Sequence, residues 1–291
     1  MPERMIHANG IEICCDDFGS PANPALLLVM GAGGQAILWP EEFCAELASA
    51  GFYVIRYDNR DVGRSSCFEF ARQPYTLSDM ARDAVGVLDA FGIARAHVVG
   101  ASMGGMIGQT LALEHAPRVR TLTSVMSSPF GARVSALMGS PGGGELAPHP
   151  RLLAAFAQQL AKPPRTPDER IDAAVALWRA LSGRGEPFDE GAIRAREARI
   201  LARARNIDAS QNHGLAIAAS PDRLEALRGL RVPTLVFHGD DDPILPLAHG
   251  RLTAEAIPGS RFVIVEGMGH DIAPKALARL TQEILAHARA H

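Results

Sequence analysis

No stretch of this sequence is long and apolar enough to span a bilayer; the longest clean apolar run, Ala25 to Met30, has the length of a strand. An excess of charge is missing too. Arginine and lysine number 29 against 32 acidic side chains, a net charge of −3, so nothing argues electrostatically for a nucleic-acid partner. Lysine is nearly absent, at positions 162 and 275 only, and arginine carries the remaining positive charge. The four cysteines, Cys14, Cys15, Cys44 and Cys67, form no Cys-x-x-Cys and pair with no histidine at zinc spacing. That pattern supports neither a disulfide framework nor a metal site, and free thiols are expected. Met1-Pro2-Glu3-Arg4 lacks the charged-then-apolar layout of a secretory signal, which makes a cytoplasmic location the expectation. With 291 residues, the chain has ample length for one large core or a core plus a smaller subdomain.

What the sequence does contain is centred on Val98-Val99-Gly100-Ala101-Ser102-Met103-Gly104-Gly105-Met106. A short apolar run meets Gly-x-Ser-x-Gly, and a helix-period pattern (Met106, Gln109, Leu113) follows. This reads as strand, sharp turn and helix, with Ser102 presented in a strained conformation at the edge of a sheet. Gly100 and Gly104 are needed where a Cβ would collide with the tightly folded backbone. The helix begins just after Ser102, so its unpaired N–H groups point toward any oxyanion formed there.

Strands are expected at Ile11 to Phe18, Ala25 to Met30, Tyr53 to Tyr57, before the elbow, and at Val119 to Met126. Helices are expected from Pro40 to Ala50 and Thr76 to Phe91, with Thr76 as N-cap. The alternation resumes with strands at Val232 to His238 and Arg261 to Glu266, and helices at Pro246 to Ile257 and Pro274 to His291. Repeated strand–helix alternation argues for a mostly parallel sheet covered on both faces. Between the halves the texture changes. A loop-like start (Gly139-Ser140-Pro141-Gly142-Gly143-Gly144) precedes Ala- and Arg-rich helical patterns at Leu152 to Ala161, Asp168 to Leu181 and Glu190 to Arg205. The organisation expected is a core of residues 1–127 and 223–291, with a helical cap of residues 128–222 over the C-terminal edge of the sheet.

A serine hydroxyl needs a neighbouring base to remove its proton, and the base must be oriented by a third group. In this architecture an acid and then a histidine should follow the serine, each on a loop after a strand. His270, reached through Glu266-Gly267-Met268-Gly269, is the candidate base. His238 also ends a strand and ranks second, whereas His115, His149, His213, His249, His287 and His291 read as surface or packing residues. On chemistry alone Asp240, Asp241 and Asp242 leave the acid open. Asp242, fixed by Pro243, is chosen, Asp241 is the fallback, and the other two are read as solvated loop acids. A calcium loop is disfavoured, because Asp-Asp-Asp lacks the alternating spacing and distant Glu of such loops. Two N–H donors should hold the oxyanion, one at Met103 and one at Ala32 in the loop Gly31-Ala32-Gly33-Gly34. That loop's lack of side chains lets a substrate approach the backbone, which makes Gly33 a candidate substrate contact.

With these parts assembled, the chain resembles the α/β-hydrolases along essentially its whole length. Asp58-Asn59-Arg60-Asp61-Val62-Gly63-Arg64-Ser65 is similar to that fold's Asp-x-Arg-x-x-Gly-x-Ser turn. The family's Gly-x-x-Asp falls on Gly239 and Asp242, which supports Asp242 as the acid. Within the superfamily the chain most resembles the aclacinomycin methylesterase branch, through Asp16-Asp17-Phe18-Gly19, Val54-Ile55-Arg56-Tyr57-Asp58 and Gly267-Met268-Gly269-His270. The likeness reaches into the cap at Trp178-Arg179-Ala180-Leu181-Ser182-Gly183 and Pro187-Phe188-Asp189. The chain is also similar to serine-dependent macrolide esterases. It departs from the family pattern at Met30-Gly31, where many relatives carry His-Gly.

The resemblance implies ester hydrolysis through an acyl-enzyme by Ser102, His270 and Asp242, without metal or cofactor. Ser102 in place of a carboxylate nucleophile excludes dehalogenase and epoxide hydrolase chemistry. C–C bond hydrolases, cofactor-free haloperoxidases and non-catalytic ligand receptors of the same fold share the triad and remain alternatives. Met138, Trp178 and Phe130 in or beside the apolar cap, with Met268 beside the base, are candidate substrate contacts and point to a small-molecule, bulky hydrophobic ester. The resemblance places a macrocyclic lactone first and an anthracycline-type methyl ester second.

Overall fold

Apolar runs that alternate between two buried faces build the centre of the molecule. The computed structural model describes residues 3–138 and 144–291. Its strands are β1 (Arg4–Ala8), β2 (Ile11–Phe18), β3 (Ala25–Val29), β4 (Tyr53–Tyr57), β5 (Ala96–Ala101), β6 (Val119–Val125), β7 (Thr234–Gly239) and β8 (Arg261–Val265). They form one sheet in the order β1-β2-β4-β3-β5-β6-β7-β8, parallel from β4 onward and antiparallel at β1–β2 and β2–β4. Leu27, Val29, Ile55 and Val98 face one core with helices α2 (Leu77–Ala90) and α3 (Met103–Glu114). Leu26, Leu28, Val54 and Val99 face the other core with α1 (Glu41–Ser49) and α11 (Pro274–Arg289). Burial on both sides is what continuous apolar runs such as Ala25–Val29 require.

The expected strands and flanking helices are present, with ends shifted by one or two residues. Thr76 caps α2: the Asp79 carboxylate accepts its N–H at 2.8 Å. β1 was not anticipated. Its signal is Asn9-Gly10, a two-residue turn with both φ positive (49° and 78°) that closes the β1–β2 hairpin.

Between β6 and β7 the described residues form helices and no strand. They are α4 (Ala132–Met138), α5 (Pro150–Ala161), α6 (Pro167–Leu181), α7 (Glu190–Arg203), α8 (Asn212–Ala218) and the single turn α9 (Leu224–Leu227). α10 (Leu247–Ala256) follows β7. Helix α4, to which the sequence assigned no element, precedes the loop-like stretch 139–144, of which all but Gly144 falls outside the described residues. Among the described residues no helix is long and apolar enough to cross a membrane.

Several polar groups lie inside this frame. Arg60 reaches Asp83 on α2 through Nε and Nη2 at 2.6 and 2.7 Å, anchoring the 58–65 turn beneath the sheet edge. His97 meets Thr121 Oγ1 at 2.9 Å, and His249 bridges Ser128 Oγ and the Leu146 carbonyl. Burial holds both imidazoles down at about 4. Their folded pKa lies below the unfolded value, so between pH 6.5 and about 4 the unfolded chain binds more protons. Stability should therefore be full above about pH 6.5 and decline as the pH falls toward 4. Urea midpoints measured from pH 7.5 down to 5 should fall, with a shallower slope in His97→Gln; a pH-independent midpoint would contradict this.

Candidate active site

Ser102 stands between β5 and α3 at φ 55° and ψ −119°, a region that costs a non-glycine residue about 1–3 kcal/mol. Its neighbours over-determine that geometry. Ser102 N–H donates to the Val125 carbonyl at 2.9 Å, and the Ser102 carbonyl accepts from Ser127 Oγ at 2.7 Å and from Gly105 N–H at 2.9 Å. The glycines are dictated by contact: a Cβ on Gly100 would lie 2.1 Å from the Gly104 carbonyl oxygen, and one on Gly104 2.1 Å from that of Val29.

The loops after β7 and β8 bring Asp242 and His270 to this serine. His270 Nε2 lies 2.9 Å from Ser102 Oγ, and His270 Nδ1 lies 2.7 Å from Asp242 Oδ2. The carboxylate must accept, so Nδ1 carries the proton and Nε2 presents a lone pair to the hydroxyl. Asp242 Oδ1 accepts the N–H groups of Ile244 and Leu245 at 3.0 and 2.9 Å. Burial alone would raise this carboxyl; His270 and the His238 ring edge at 3.5 Å outweigh it and hold it well below the usual carboxylate range. His238 is turned away from the serine, donating Nε2–H to the Leu245 carbonyl at 2.7 Å. The other two aspartates are not the free solvated acids expected. Arg184 of the helical insertion reaches Asp240 at 3.0 Å and Asp241 at 3.2 Å, so both anchor the acid loop to the insertion.

The loop after β3 crosses the nucleophile, where a Cβ on Gly31 would come 3.0 Å from Ser102 Cβ. Gly34 N–H donates to the Gly31 carbonyl at 3.1 Å, and Gly33 has φ +71°, the arrangement of a type II turn. Among the described residues the N–H groups of Ala32 and Met103 have no hydrogen-bond partner, whereas Gly33 N–H donates to His213 Nδ1 at 2.9 Å. The loop ends are tied by Asn59, which donates to the Met30 carbonyl, and by Asp58, which accepts Ala36 N–H. Gln35 donates to the Ile200 carbonyl of α7 at 2.9 Å, and Arg203 of α7 reaches both Gln35 and Asp58.

A second strap from the insertion covers the base. His270 N–H donates to the Leu181 carbonyl at 2.8 Å, and Gly185 N–H to that of Gly267 at 2.9 Å. A Cβ on Gly183 would sit 2.1 Å from the Gly267 oxygen, so the Ser182-Gly183 stretch noted in the sequence is a backbone-to-backbone contact.

A cavity of about 820 Å³ opens within the insertion, lined by Met138, Phe156, Leu177, Ile200, Glu197 and Ser210 among others. Met138 is one of its lining residues. Gly33 is not; Ser210, on the cavity wall, is the nearest approach, 3.9 Å from where a Gly33 Cβ would be. Trp178 stands behind its wall, donating Nε1–H to Glu197 at 2.8 Å with the Arg196 guanidinium over its ring. Burial raises the Glu197 carboxyl against the pull of Arg196. Met268 lines a separate cavity of about 410 Å³ with Phe188 and Asp271. Phe130 must be corrected: it is 1% exposed, edge-on to His249 and covered by the Arg133 guanidinium of α4, so its ring is packed in the core and lines none of these cavities. Among the described residues no group of three His, Cys, Asp or Glu side chains could hold a metal ion. Arg184, Arg203 and His213 were missed as site residues, since each acts on a loop far away in sequence, and Gln35 because its partner Ile200 is far away.

The elbow glycines give a direct test. Gly104→Ala, whose Cβ meets backbone, should lower the melting temperature by about 2–5 °C, the scale of 1–3 kcal/mol of overpacking in a chain this long. An unchanged melting temperature would contradict the packing described.

Residues 24–275 match the protein family described as "alpha/beta hydrolase fold". Rhodomycin D methylesterase DauP from Streptomyces sp. (strain C5) is 38% identical over 295 residues, covering 100% of this chain and 99% of its own. Rhodomycin D methylesterase DnrP from Streptomyces peucetius is likewise 38% identical, with 100% and 99% covered. Among solved structures, an esterase (EaEST) from Exiguobacterium antarcticum has the same fold, with a TM-score of 0.78 and 20% identity across 99% of this chain and 100% of the other. The chain therefore belongs to the α/β-hydrolase family, among its carboxylic-ester hydrolases, in the branch that includes these methylesterases.

Proposed function

We propose that the protein is a serine methylesterase that acts on an anthracycline-type polyketide, with the helical insertion serving as the cap over its site. The reaction begins when His270 Nε2 takes the Ser102 proton and Oγ attacks the ester carbonyl. The Ala32 and Met103 N–H groups, without other partners among the described residues and with Met103 at the start of α3, hold the oxyanion. Asp242 keeps His270 in the required tautomer and stabilises its imidazolium, which returns the proton to departing methanol. Water, activated by the same His270, then releases the acid and restores Ser102.

The substrate class is supported by one observation above others, the likeness to two rhodomycin D methylesterases that spans the whole chain, insertion included. A largely apolar cavity of about 820 Å³ within the insertion, with Ser210 on its wall near Gly33, is of a size that suits a polycyclic ligand. The relatives' names favour the methyl ester over the macrocyclic lactone that the sequence reading placed first.

Purified wild type and Ser102→Ala should each be incubated with an anthracycline methyl ester, a macrocyclic lactone and a p-nitrophenyl ester, with products read by mass spectrometry. The expected result is conversion of the anthracycline ester to its free acid by wild type alone, with the lactone intact. Lactone opening without methyl-ester cleavage would reverse the substrate assignment, and equal activity in Ser102→Ala would remove the nucleophile.

A further inference from the structure

We propose that His213 is a positioning residue for this hydrolysis, holding the Ala32–Gly33 peptide, and with it the Gly31–Gly34 turn that carries the Ala32 N–H, in its place beside Ser102. The proposal rests on the serine-esterase reading above.

His213 lies on α8, with no exposed surface, and both ring nitrogens are engaged. Nδ1 is 2.9 Å from Gly33 N and Nε2 is 2.7 Å from the Arg60 carbonyl oxygen. An amide must donate and a carbonyl must accept, so Nδ1 bears the lone pair and Nε2 the proton. Burial lowers the imidazole pKa and favours this neutral form. The anchor side is rigid: Arg60 is clamped by Asp83, and neighbouring Asn212 donates to Asp61 at 3.1 Å and to the Phe68 carbonyl at 3.0 Å.

The side that is held is not rigid by itself. Types I and II of a four-residue turn differ by a flip of the central peptide, here Ala32–Gly33. Gly33 has no Cβ to bias the choice, and the ties from Asn59 and Asp58 grip only Met30 and Ala36 at the loop ends. The bond from Gly33 N–H to His213 Nδ1 is therefore the side-chain contact that registers the flip. It also occupies Gly33 N–H, which leaves Ala32 as the open donor of the turn.

Two substitutions separate positioning from packing. Asparagine places its Oδ1 where Nδ1 sits and can accept Gly33 N–H; glutamine places its amide near Nε2 and can bond only Arg60. With a p-nitrophenyl ester small enough to need little of the cavity, kcat of His213→Gln should fall about 10- to 100-fold with KM nearly unchanged. His213→Asn should return to within about threefold of wild-type kcat, even where its melting temperature is lower, since the oxyanion loop is again held. Wild-type kcat in His213→Gln would overturn the proposal. Equal losses in both variants, following their melting temperatures, would overturn it too by reducing His213 to a packing role. Ser102→Ala, assayed alongside, reports separately on the parent reading: full turnover there would sink the esterase assignment and this proposal with it.

Discussion

The strained turn at Ser102 is the constraint on which the rest of the molecule depends. A serine at φ 55° exists only because β5 and α3 leave no other path for the chain, with Gly100 and Gly104 passing their neighbours at distances no side chain tolerates. The same turn lifts Oγ out of the sheet toward His270 and puts Met103 N–H at the head of a buried helix. Sheet packing thus supplies the rigidity, and the turn converts it into a fixed position for one oxygen atom.

Three loops converge on that oxygen, and the helical insertion touches each of them. Gln35 and Arg203 join α7 to the oxyanion loop, Arg184 holds the acid loop, and the Leu181–Gly185 strap lies against the histidine loop. The Arg203–Asp58 pair is buried and of the kind that fixes geometry more than it adds net stability, whereas the Arg184 pairs are half-exposed. The insertion also contains the large cavity, so one segment both encloses that space and steadies the loops around Ser102.

Most of the frame was legible in the sequence because it rests on local signals. Gly-x-Ser-x-Gly, Thr76 with Asp79, and the apolar run Ala25–Val29 each encode their structure within a few residues. Chain order and loop position singled out Asp242 and His270, and the fold sets His270 2.9 Å from Ser102 Oγ and 2.7 Å from Asp242 Oδ2. What escaped was long-range and polar. The His213–Gly33 bond spans 180 residues, Gln35–Ile200 spans 165, and no periodicity reports such a pairing. Phe130 misled because an aromatic near a segment boundary reads alike whether it faces a ligand or the core. β1 was missed for a different reason: its strand is short and half exposed, and only Asn9-Gly10 announces it.

In the mechanism we propose, His270 and Asp242 make Ser102 a nucleophile. The most direct test is intact-protein and peptide mass spectrometry after treatment with a fluorophosphonate, comparing wild type with His270→Ala. A single adduct on the peptide that carries Ser102, formed in step with loss of activity and strongly slowed in His270→Ala, is the predicted result. Full inactivation with the adduct elsewhere, or labelling of Ser102 at the same rate without His270, would contradict the account.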